Sequence, residues 1–213
     1  AFLPKPVVPI TGGGGHVHTG LWQGSVNSLE ADADAGGLSP VGYNFLGGVL
    51  AHAKGLTALF APTINSYRRL GANMTTSGST WSPRYISYGG NNRSHMMRIP
   101  EAGRFECRLI DGSANLYLAL AGLLAAGLDG IKQQTSPGKR IDENLFARGD
   151  EFPDLEMLPT DLYEALDALK KNELLMETLG ELGAKTFFEF KYKEWNAFCS
   201  QVTDWEMDQY INI

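Results

Sequence analysis

Six consecutive residues alternate strictly between charged and apolar side chains: Arg104, Phe105, Glu106, Cys107, Arg108 and Leu109. Successive side chains of a β-strand point to opposite faces, so this period of two predicts a strand with one apolar and one ionised face. The apolar face requires a core to cover it. The ionised face holds one carboxylate between two guanidinium groups, which indicates either the wall of a binding cleft or an ordinary surface strand.

Other strand-like segments lie in the first half of the chain. Residues 2–8 are extended and interrupted by proline, and residues 17–22 follow a glycine-rich turn. Residues 84–88 and 96–100 are further strand candidates. Residues 71–82 are rich in Gly, Ser, Thr and Asn, which predicts a mobile loop.

A helix is predicted between the early and the late strands. Ser39 can cap it, and Pro40 suits the first helical position. Apolar residues continue to Phe60, and Pro62 ends the helix.

The second half of the chain is helical in pattern. Ser113 can cap a buried helix over residues 114–131, and a loop over residues 133–160 follows. Residues 162–169 carry an apolar stripe, and residues 181–210 are amphipathic and rich in aromatic side chains. Strands first and helices later indicate an α+β fold.

The composition suits a single globular domain. With 213 residues, 43% of them hydrophobic, the chain can bury one sizeable core. The net charge of -6 argues against a nucleic-acid partner, and the longest apolar stretch, residues 114–128, is short for a membrane span. Cys107 and Cys199 give no disulfide framework. We therefore expect a cytoplasmic protein without a nucleic-acid or membrane partner.

Two histidines follow a run of four glycines. The glycines occupy residues 12–15 and let backbone N–H groups approach a ligand, although a flexible hairpin turn is the commoner meaning of such a run. On a strand, His16 and His18 would face the same side, where neutral imidazoles suit a divalent metal or a phosphate. The same pair could also lie on a solvated strand face.

Five of the six arginines within residues 69–108 of this acidic chain are candidates for one site: Arg69, Arg93, Arg98, Arg104 and Arg108. Each of them could singly be a surface residue. Together with the histidines and Glu106, they predict a site for a metal, a nucleotide and a carboxylate.

Short motifs spread over residues 1–131 occur in the order known from one enzyme family. They occupy residues 2–6, 15–18, 65–70, 92–94 with 98–100, 104–108, 111–118 and 126–130. In these motifs the chain resembles the carboxy-terminal part of the glutamine synthetase catalytic domain. The resemblance is strongest to the type III-like branch that forms γ-glutamylamides.

The resemblance implies a role for each matching residue. The implied metal ligands are His16 and Glu106. The implied ATP-binding residues are His18, Arg93, Arg98 and Arg104, and two of these, Arg93 and Arg98, are also implied to be catalytic. The implied glutamate-binding residues are Gly12, Arg69 and Arg108.

The resemblance also implies a fold, cofactors and partners. Residues 1–213 would form part of an open barrel of antiparallel strands followed by packed helices, strand-rich over 1–131 and helical over 132–213. The family's amino-terminal β-grasp domain has no matching segment. Family members use ATP with Mg²⁺ or Mn²⁺, join glutamate to ammonia or a small amine through γ-glutamyl phosphate, and form ring-shaped homo-oligomers.

Four positions depart from the family pattern. Thr11 replaces an asparagine that contacts glutamate, and Leu116 replaces a proline at a helix start. Phe146 replaces a tyrosine that some relatives adenylylate, so that modification cannot occur here. Trp81 replaces a glutamate that helps deprotonate ammonium. An indole cannot accept that proton, but its face can contact a cation or an alkyl group.

Trp81 is therefore the candidate amine site, and it predicts an alkylamine such as methylamine as substrate. Ammonia remains the alternative if another acid in a shifted loop accepts the proton. Because His16 and Glu106 leave even one metal short of a ligand, we predict little or no ligase activity for these 213 residues alone. The alternative from another class is a non-catalytic, truncated nucleotide-binding or assembly module.

Overall fold

A computed structural model describes residues 2–31, 37–70 and 81–213. Most of the loop predicted over residues 71–82 lies outside the described residues. The strands in chain order are β1 (Val17–Thr19), β2 (Trp22–Gln23), β3 (Val26–Asn27), β4 (Tyr88–Gly89), β5 (Met97–Glu101) and β6 (Arg104–Cys107). Four strands form an open sheet in the order β1-β6-β5-β4, and β2 pairs with β3 in a short hairpin.

The sheet is mainly antiparallel, as expected. β6 pairs antiparallel with both β1 and β5, whereas β4 joins the edge of β5 in parallel. Residues 2–8, predicted to be extended, contain no strand in the structure. The segment predicted over residues 84–88 contributes only an isolated bridge at Tyr85 and the first residue of β4.

Eight α-helices and one short 3₁₀ helix occur among the described residues. They are α1 (Pro40–Ala51), α2 (Ala53–Phe60), α3 (Ile64–Arg69), α4 (Leu116–Gln133), α5 (Leu145–Arg148), the 3₁₀ helix (Gly149–Glu151), α6 (Leu162–Lys170), α7 (Glu173–Cys199) and α8 (Asp204–Tyr210). In the described part of the chain, no helix combines the length and the hydropathy that a membrane crossing requires.

The helix predicted from Pro40 to Phe60 begins as expected but is divided. The hydroxyl of Ser39 accepts a hydrogen bond from the Gly42 N–H at 3.1 Å, and Pro40 is the first helical residue. The backbone leaves the helical conformation at His52, which separates α1 from α2. Both halves remain buried against α4 and α6.

The start of α4 corrects the sequence interpretation. Asn115, not Ser113, caps the helix, because its side-chain oxygen accepts from the Tyr117 N–H at 3.0 Å. The Ser113 hydroxyl instead donates to Asp111 at 2.6 Å. Leu116 is the first helical residue, a position that also tolerates proline.

The expected complete burial of α4 was wrong. Its small residues, such as Gly122, Ala126 and Gly127, pack against α1 and α2. The opposite face exposes leucine side chains and Tyr117. The small residues on one face of α4 allow α1 and α2 to pack closely against that face. The apolar residues on the opposite face did not require burial.

The carboxy-terminal helices agree with the sequence pattern. The apolar stripe of α6 is fully buried, and it consists of Leu162, Ala165, Leu166 and Leu169. α7 carries a kink at Gly180, whose φ of 67° lies in the left-handed region that glycine adopts readily. The α+β architecture, with a sheet that is not closed and packed helices after it, confirms the predicted fold class.

Candidate functional site

A polar row crosses the sheet from β1 to β5. His18 lies opposite Glu106, and Glu106 lies opposite Arg98. The neighbouring row, one residue along each strand, includes Cys107 and Met97, which are completely buried. The strict alternation of the sequence therefore produces the predicted strand, with its apolar face in the core and its ionised face in a polar row.

Glu106 is buried between two guanidinium groups. Arg98 Nη1 donates to Glu106 Oε2 at 2.5 Å, and Arg108 Nη1 donates to Oε1 at 2.6 Å. Burial alone would raise the pKa of Glu106, but the hydrogen bond from Arg98 and the charges of both arginines outweigh it and lower the pKa below its usual value. The carboxylate is therefore ionised at neutral pH and holds both arginines in place.

Arg69 is a third buried guanidinium beside this pair. Its Nη1 donates to the Leu109 carbonyl at 3.0 Å, and its Nη2 donates to the Arg108 carbonyl at 2.8 Å. Burial lowers the pKa of Arg69 to about 10, so the side chain stays charged at neutral pH. These two hydrogen bonds hold the backbone of Arg108 and Leu109 in place.

The glycine-rich loop lies against Arg69. The Gly13 N–H donates to the Pro4 carbonyl at 2.8 Å, and the Gly15 N–H donates to the Ile110 carbonyl at 2.9 Å. A Cβ at Gly12 would lie 2.4 Å from the Pro4 carbonyl oxygen. Only glycine fits that position without a backbone shift, so the run serves close approach and not merely flexibility.

His16 follows the loop and lies near the arginine cluster. Partial desolvation, then the positive charges of Arg108 and Arg69, lower the pKa of His16 to about 4. The imidazole is therefore neutral at physiological pH, and a ring nitrogen can accept a hydrogen bond or bind a metal.

These elements enclose one open cavity of about 340 Å³. Its lining residues are Thr11, Gly12, Gly14, His16, Arg69, Trp81, Arg93, Arg98, Glu106 and Arg108. Four of them are arginines and one is a carboxylate, so the cavity is positively charged. Within the described residues, the buried Nε of Arg108 has no hydrogen-bond acceptor. The cavity is suited to an anionic ligand.

His18 and Arg104 form a separate pair outside this cavity. Arg104 Nη1 lies 2.7 Å from His18 Nδ1, and Arg104 Nε donates to Glu101 at 2.6 Å. A guanidinium can only donate, so this nitrogen of His18 accepts. The sequence predicted that Arg104 lies on one face with Glu106 and Arg108. In the structure, Glu106 and Arg108 line the cavity, whereas Arg104 pairs with His18 outside it.

Trp81 and Arg93 form the exposed side of the cavity. The Arg93 guanidinium lies 5.6 Å from the centroid of the Trp81 ring, within the range of a cation–π contact. The Phe146 ring meets Trp81 edge-on at 6.4 Å. Trp81 has a φ of 51°, and such a left-handed conformation in a bulky residue marks a constrained position.

A metal would find a partial ligand set here. His16 is neutral and Glu106 is ionised, which is the protonation that metal ligands require. Across residues 2–31, 37–70 and 81–213, no three His, Cys, Asp or Glu side chains gather closely enough to hold an ion. The two residues fit as part of a metal site and do not form a whole one.

Two supporting residues escaped the sequence interpretation. The Asn91 side-chain oxygen accepts from Arg98 Nε at 3.1 Å and so fixes the outer edge of that guanidinium. The Lys5 ammonium is buried and donates to the Ile10 carbonyl, which closes the segment before the glycine loop. A lysine in an apolar, proline-rich segment was the available signal for Lys5, but its acceptor is a backbone carbonyl that no sequence pattern marks.

Residues 1–210 match the family model described as glutamine synthetase, catalytic domain. The chain is 44% identical to a glutamine synthetase of Rhizobium leguminosarum bv. phaseoli over 214 residues, covering all of this chain and 49% of that protein. It is 41% identical to the glutamate–methylamine ligase of Methyloversatilis universalis over 218 residues, again covering all of this chain and 49% of that protein.

A solved structure described as the GmaS/ADP complex superposes with a TM-score of 0.93 at 49% identity, covering all of this chain and 49% of that one. The ligand-free GmaS gives a TM-score of 0.90 at 46% identity, with 48% of that chain covered. The chain thus spans about half the length of the relatives it matches. The ordered motifs, the superposition and the family model together place this chain in the glutamine synthetase family, within its catalytic domain.

Proposed function

We propose that the polypeptide containing these residues is an ATP-dependent ligase that joins glutamate to a small amine. In the first step, a γ-carboxylate oxygen of glutamate attacks the γ-phosphorus of ATP, giving γ-glutamyl phosphate and ADP. In the second step, the neutral amine attacks the acyl carbon, the C–O bond to phosphate breaks, and the proton lost by the nitrogen passes to the departing phosphate or to water. The observation that carries the proposal is the cavity in which four arginines surround Glu106 and His16.

Arg108 and Arg69 are proposed to bind the substrate glutamate. Arg108 keeps a buried Nε–H without an acceptor among the described residues, and a carboxylate would satisfy it. Arg69 is buried beside the glycine loop, and Gly12, which also lines the cavity, lets that loop pack closely against Arg69 and the Pro4 carbonyl. The fixed positive charge would favour binding of a dicarboxylic acid over a neutral amino acid.

Arg93 and Arg98 are proposed to stabilise the transferring phosphoryl group. Arg98 is held by Glu106 and Asn91, so its charge is already oriented before substrate binds. Arg93 is exposed and contacts the Trp81 ring, so it can turn towards a developing phosphate charge. His18 on β1 and Arg104 on β6, which pair outside the cavity, are proposed to bind the nucleotide.

His16 and Glu106 are proposed to contribute two ligands to a bound divalent cation, Mg²⁺ or Mn²⁺. Such an ion, when bound, neutralises phosphate charge during phosphoryl transfer. Further ligands would come from outside the described residues. We therefore expect little or no ligase activity from the isolated 213-residue chain. Weak ATP binding without phosphate release would support the non-catalytic alternative.

Trp81 is the basis for proposing a small alkylamine, such as methylamine, as the acceptor. Its indole can contact an alkyl group, and it lies on the wall of the arginine cavity. The similarity to both a glutamine synthetase and a glutamate–methylamine ligase leaves either amine within the family's range.

The test is turnover with ammonium and with methylamine, each at saturating glutamate and ATP. A higher kcat/KM for methylamine supports the proposal, and a clear preference for ammonium refutes the alkylamine. Absence of glutamate-dependent ADP formation in the complete polypeptide would refute the ligase itself. We also propose a cytoplasmic, ring-forming homo-oligomer, which light scattering of the complete polypeptide can test.

A further inference from the structure

Phe146 contacts the ring on which the amine proposal rests, yet the reaction as proposed gives it no role. Its ring centroid lies 6.4 Å from that of Trp81, with the two planes at 80°. An edge-to-face contact of this kind has a preferred geometry, so it limits the tilt of the partner ring. The position of Phe146 therefore influences where the indole can lie.

The segment that carries Phe146 is hydrogen-bonded to the loop that carries Arg93. The side-chain amide of Asn92 donates to the carbonyls of Asp142 and Glu143, at 3.0 and 2.8 Å. These bonds join the residue beside Arg93 to the turn just before α5. They set the separation between the Arg93 loop and the Phe146 segment.

A second set of bonds fixes α5 itself. The Leu145 N–H donates to the Ser94 hydroxyl at 3.0 Å, and the Leu145 side chain is buried. The Asn144 side chain accepts from the Phe146 N–H at 3.0 Å and caps the helix. Phe146 therefore lies on a segment that several hydrogen bonds join to the Arg93 loop. These bonds restrict the movement of Phe146 relative to Trp81.

Trp81 stands between two cavities. It lines the arginine cavity and also a second, more open cavity of about 560 Å³ that includes Phe146 and Asn144. Its backbone carbonyl accepts from Arg108 Nη2 at 3.1 Å, which ties its backbone to the first cavity. The indole, in contrast, meets Phe146 and Arg93. Trp81 therefore lines both cavities, as Arg93 and Arg98 also do.

We infer that Phe146 is a positioning residue that determines how the enzyme treats the substituent on the acceptor amine. The inference rests on the proposed function. Phe146 holds the Trp81 indole so that its face meets the alkyl group of a primary alkylamine, with longer chains directed into the second cavity. Ammonium carries no alkyl carbon, so it lacks this apolar contact and depends less on the position of the ring.

The experiment uses the complete polypeptide with Phe146→Ala and Phe146→Tyr. For Phe146→Ala, kcat/KM for methylamine should fall roughly fivefold through a higher KM, which matches the loss of one aromatic pair, while kcat/KM for ammonium changes less than twofold. Phe146→Tyr keeps the ring and should restore wild-type preference. The control is Phe190→Ala, which removes an exposed phenylalanine of α7 far along the chain.

A fall that is equal for both amines would show a merely structural role and overturn the inference, as would no change for either. A second measurement needs no substrate. Acrylamide quenching of Trp81 fluorescence, isolated by subtracting the Trp81→Phe protein, should rise in Phe146→Ala. Unchanged quenching overturns the inference whichever amine is used. A wild type that rejects alkylamines refutes the proposed amine instead, while increased quenching still supports the positioning role.

Discussion

The two sides of the arginine cavity are built differently. On one side, Arg98, Glu106 and Arg108 are held by the sheet and by two buried ion pairs, and Glu106 is only 3% exposed. On the other side, Trp81 and Arg93 lie on loop segments and meet through ring contacts, and Trp81 is 44% exposed. The side chains of the first side have little freedom to move, whereas the contacts of the second side can change with one substitution.

This difference suggests that the two sides of the cavity have different roles in the proposed reaction. Charges that stabilise a transferring phosphoryl group act best when they are fixed before the substrate arrives, and the sheet fixes Arg98 in this way. Discrimination between amines needs a surface that can vary, and exposed loops on a rigid scaffold provide it. Substitutions on the two sides of the cavity can test that contrast.

Replacing Glu106 with Gln should have the largest effect. The change leaves two close guanidinium groups without their shared carboxylate, and breaking a buried pair typically costs about 3–5 kcal/mol. We expect a loss of that order in the free energy of unfolding measured with urea, and at least a hundredfold loss of ligase activity.

Glu151→Gln is the matched control. Glu151 pairs with Arg148 at the same 2.6 Å distance, but both side chains are exposed. The urea midpoint of this variant should stay at the wild-type value. Equal destabilisation by the two substitutions would contradict the claim that burial distinguishes the rigid side.

His95 should make stability depend on pH. It lies two residues after Arg93 and is completely buried, and desolvation lowers its pKa to about 4 from an ordinary value of 6.5. The unfolded chain therefore binds this proton first, so stability is lost as pH falls from about 6.5 towards 4. Between pH 7 and pH 5 the loss from this residue is about 2 kcal/mol.

Urea unfolding at several pH values, for wild type and His95→Gln, measures that contribution. The variant should show a shallower fall in stability between pH 7 and pH 5, because its amide does not titrate. Parallel curves for the two proteins would show that His95 does not contribute.

Replacing Trp81 with Glu should change specificity more than stability. The carboxylate can accept a proton from ammonium, and the apolar face for an alkyl group is lost. We expect the ratio of kcat/KM for methylamine over ammonium to fall about tenfold, or roughly 1.4 kcal/mol. The rate of glutamate-dependent ADP formation, measured without amine, should change little. An equal fall in that rate would show that Trp81 functions with the rigid side of the cavity instead.

Asn92→Ala should have the smallest effect. It removes the two bonds that the side-chain amide donates to the carbonyls of Asp142 and Glu143. It also removes the two bonds that the side-chain oxygen accepts from Ser94, and water can partly replace all four. We expect a loss of about 1 kcal/mol in the free energy of unfolding. Faster hydrogen exchange at Leu145 would show that the segment under Phe146 has loosened, and unchanged exchange there would argue that Ser94 alone anchors it.

Several features followed from the sequence alone because they depend on local periodicity and local hydrogen bonding. The alternation at residues 104–109 produced β6 with its buried and ionised faces. Ser39 and Pro40 began α1, and the stripe over α6 became buried. The ordered motifs also identified the family, and most predicted site residues line one cavity. The roles of those residues stay predictions.

Tertiary structure decided what depends on distant segments. It separated Arg104 and His18 from the arginine cavity and divided the predicted helix at His52. It also brought Phe146, 65 positions later in the chain, onto Trp81. Sequence periodicity describes which way a side chain points from its own element. It does not describe which other element packs there, and the partner of Trp81 depended on that packing.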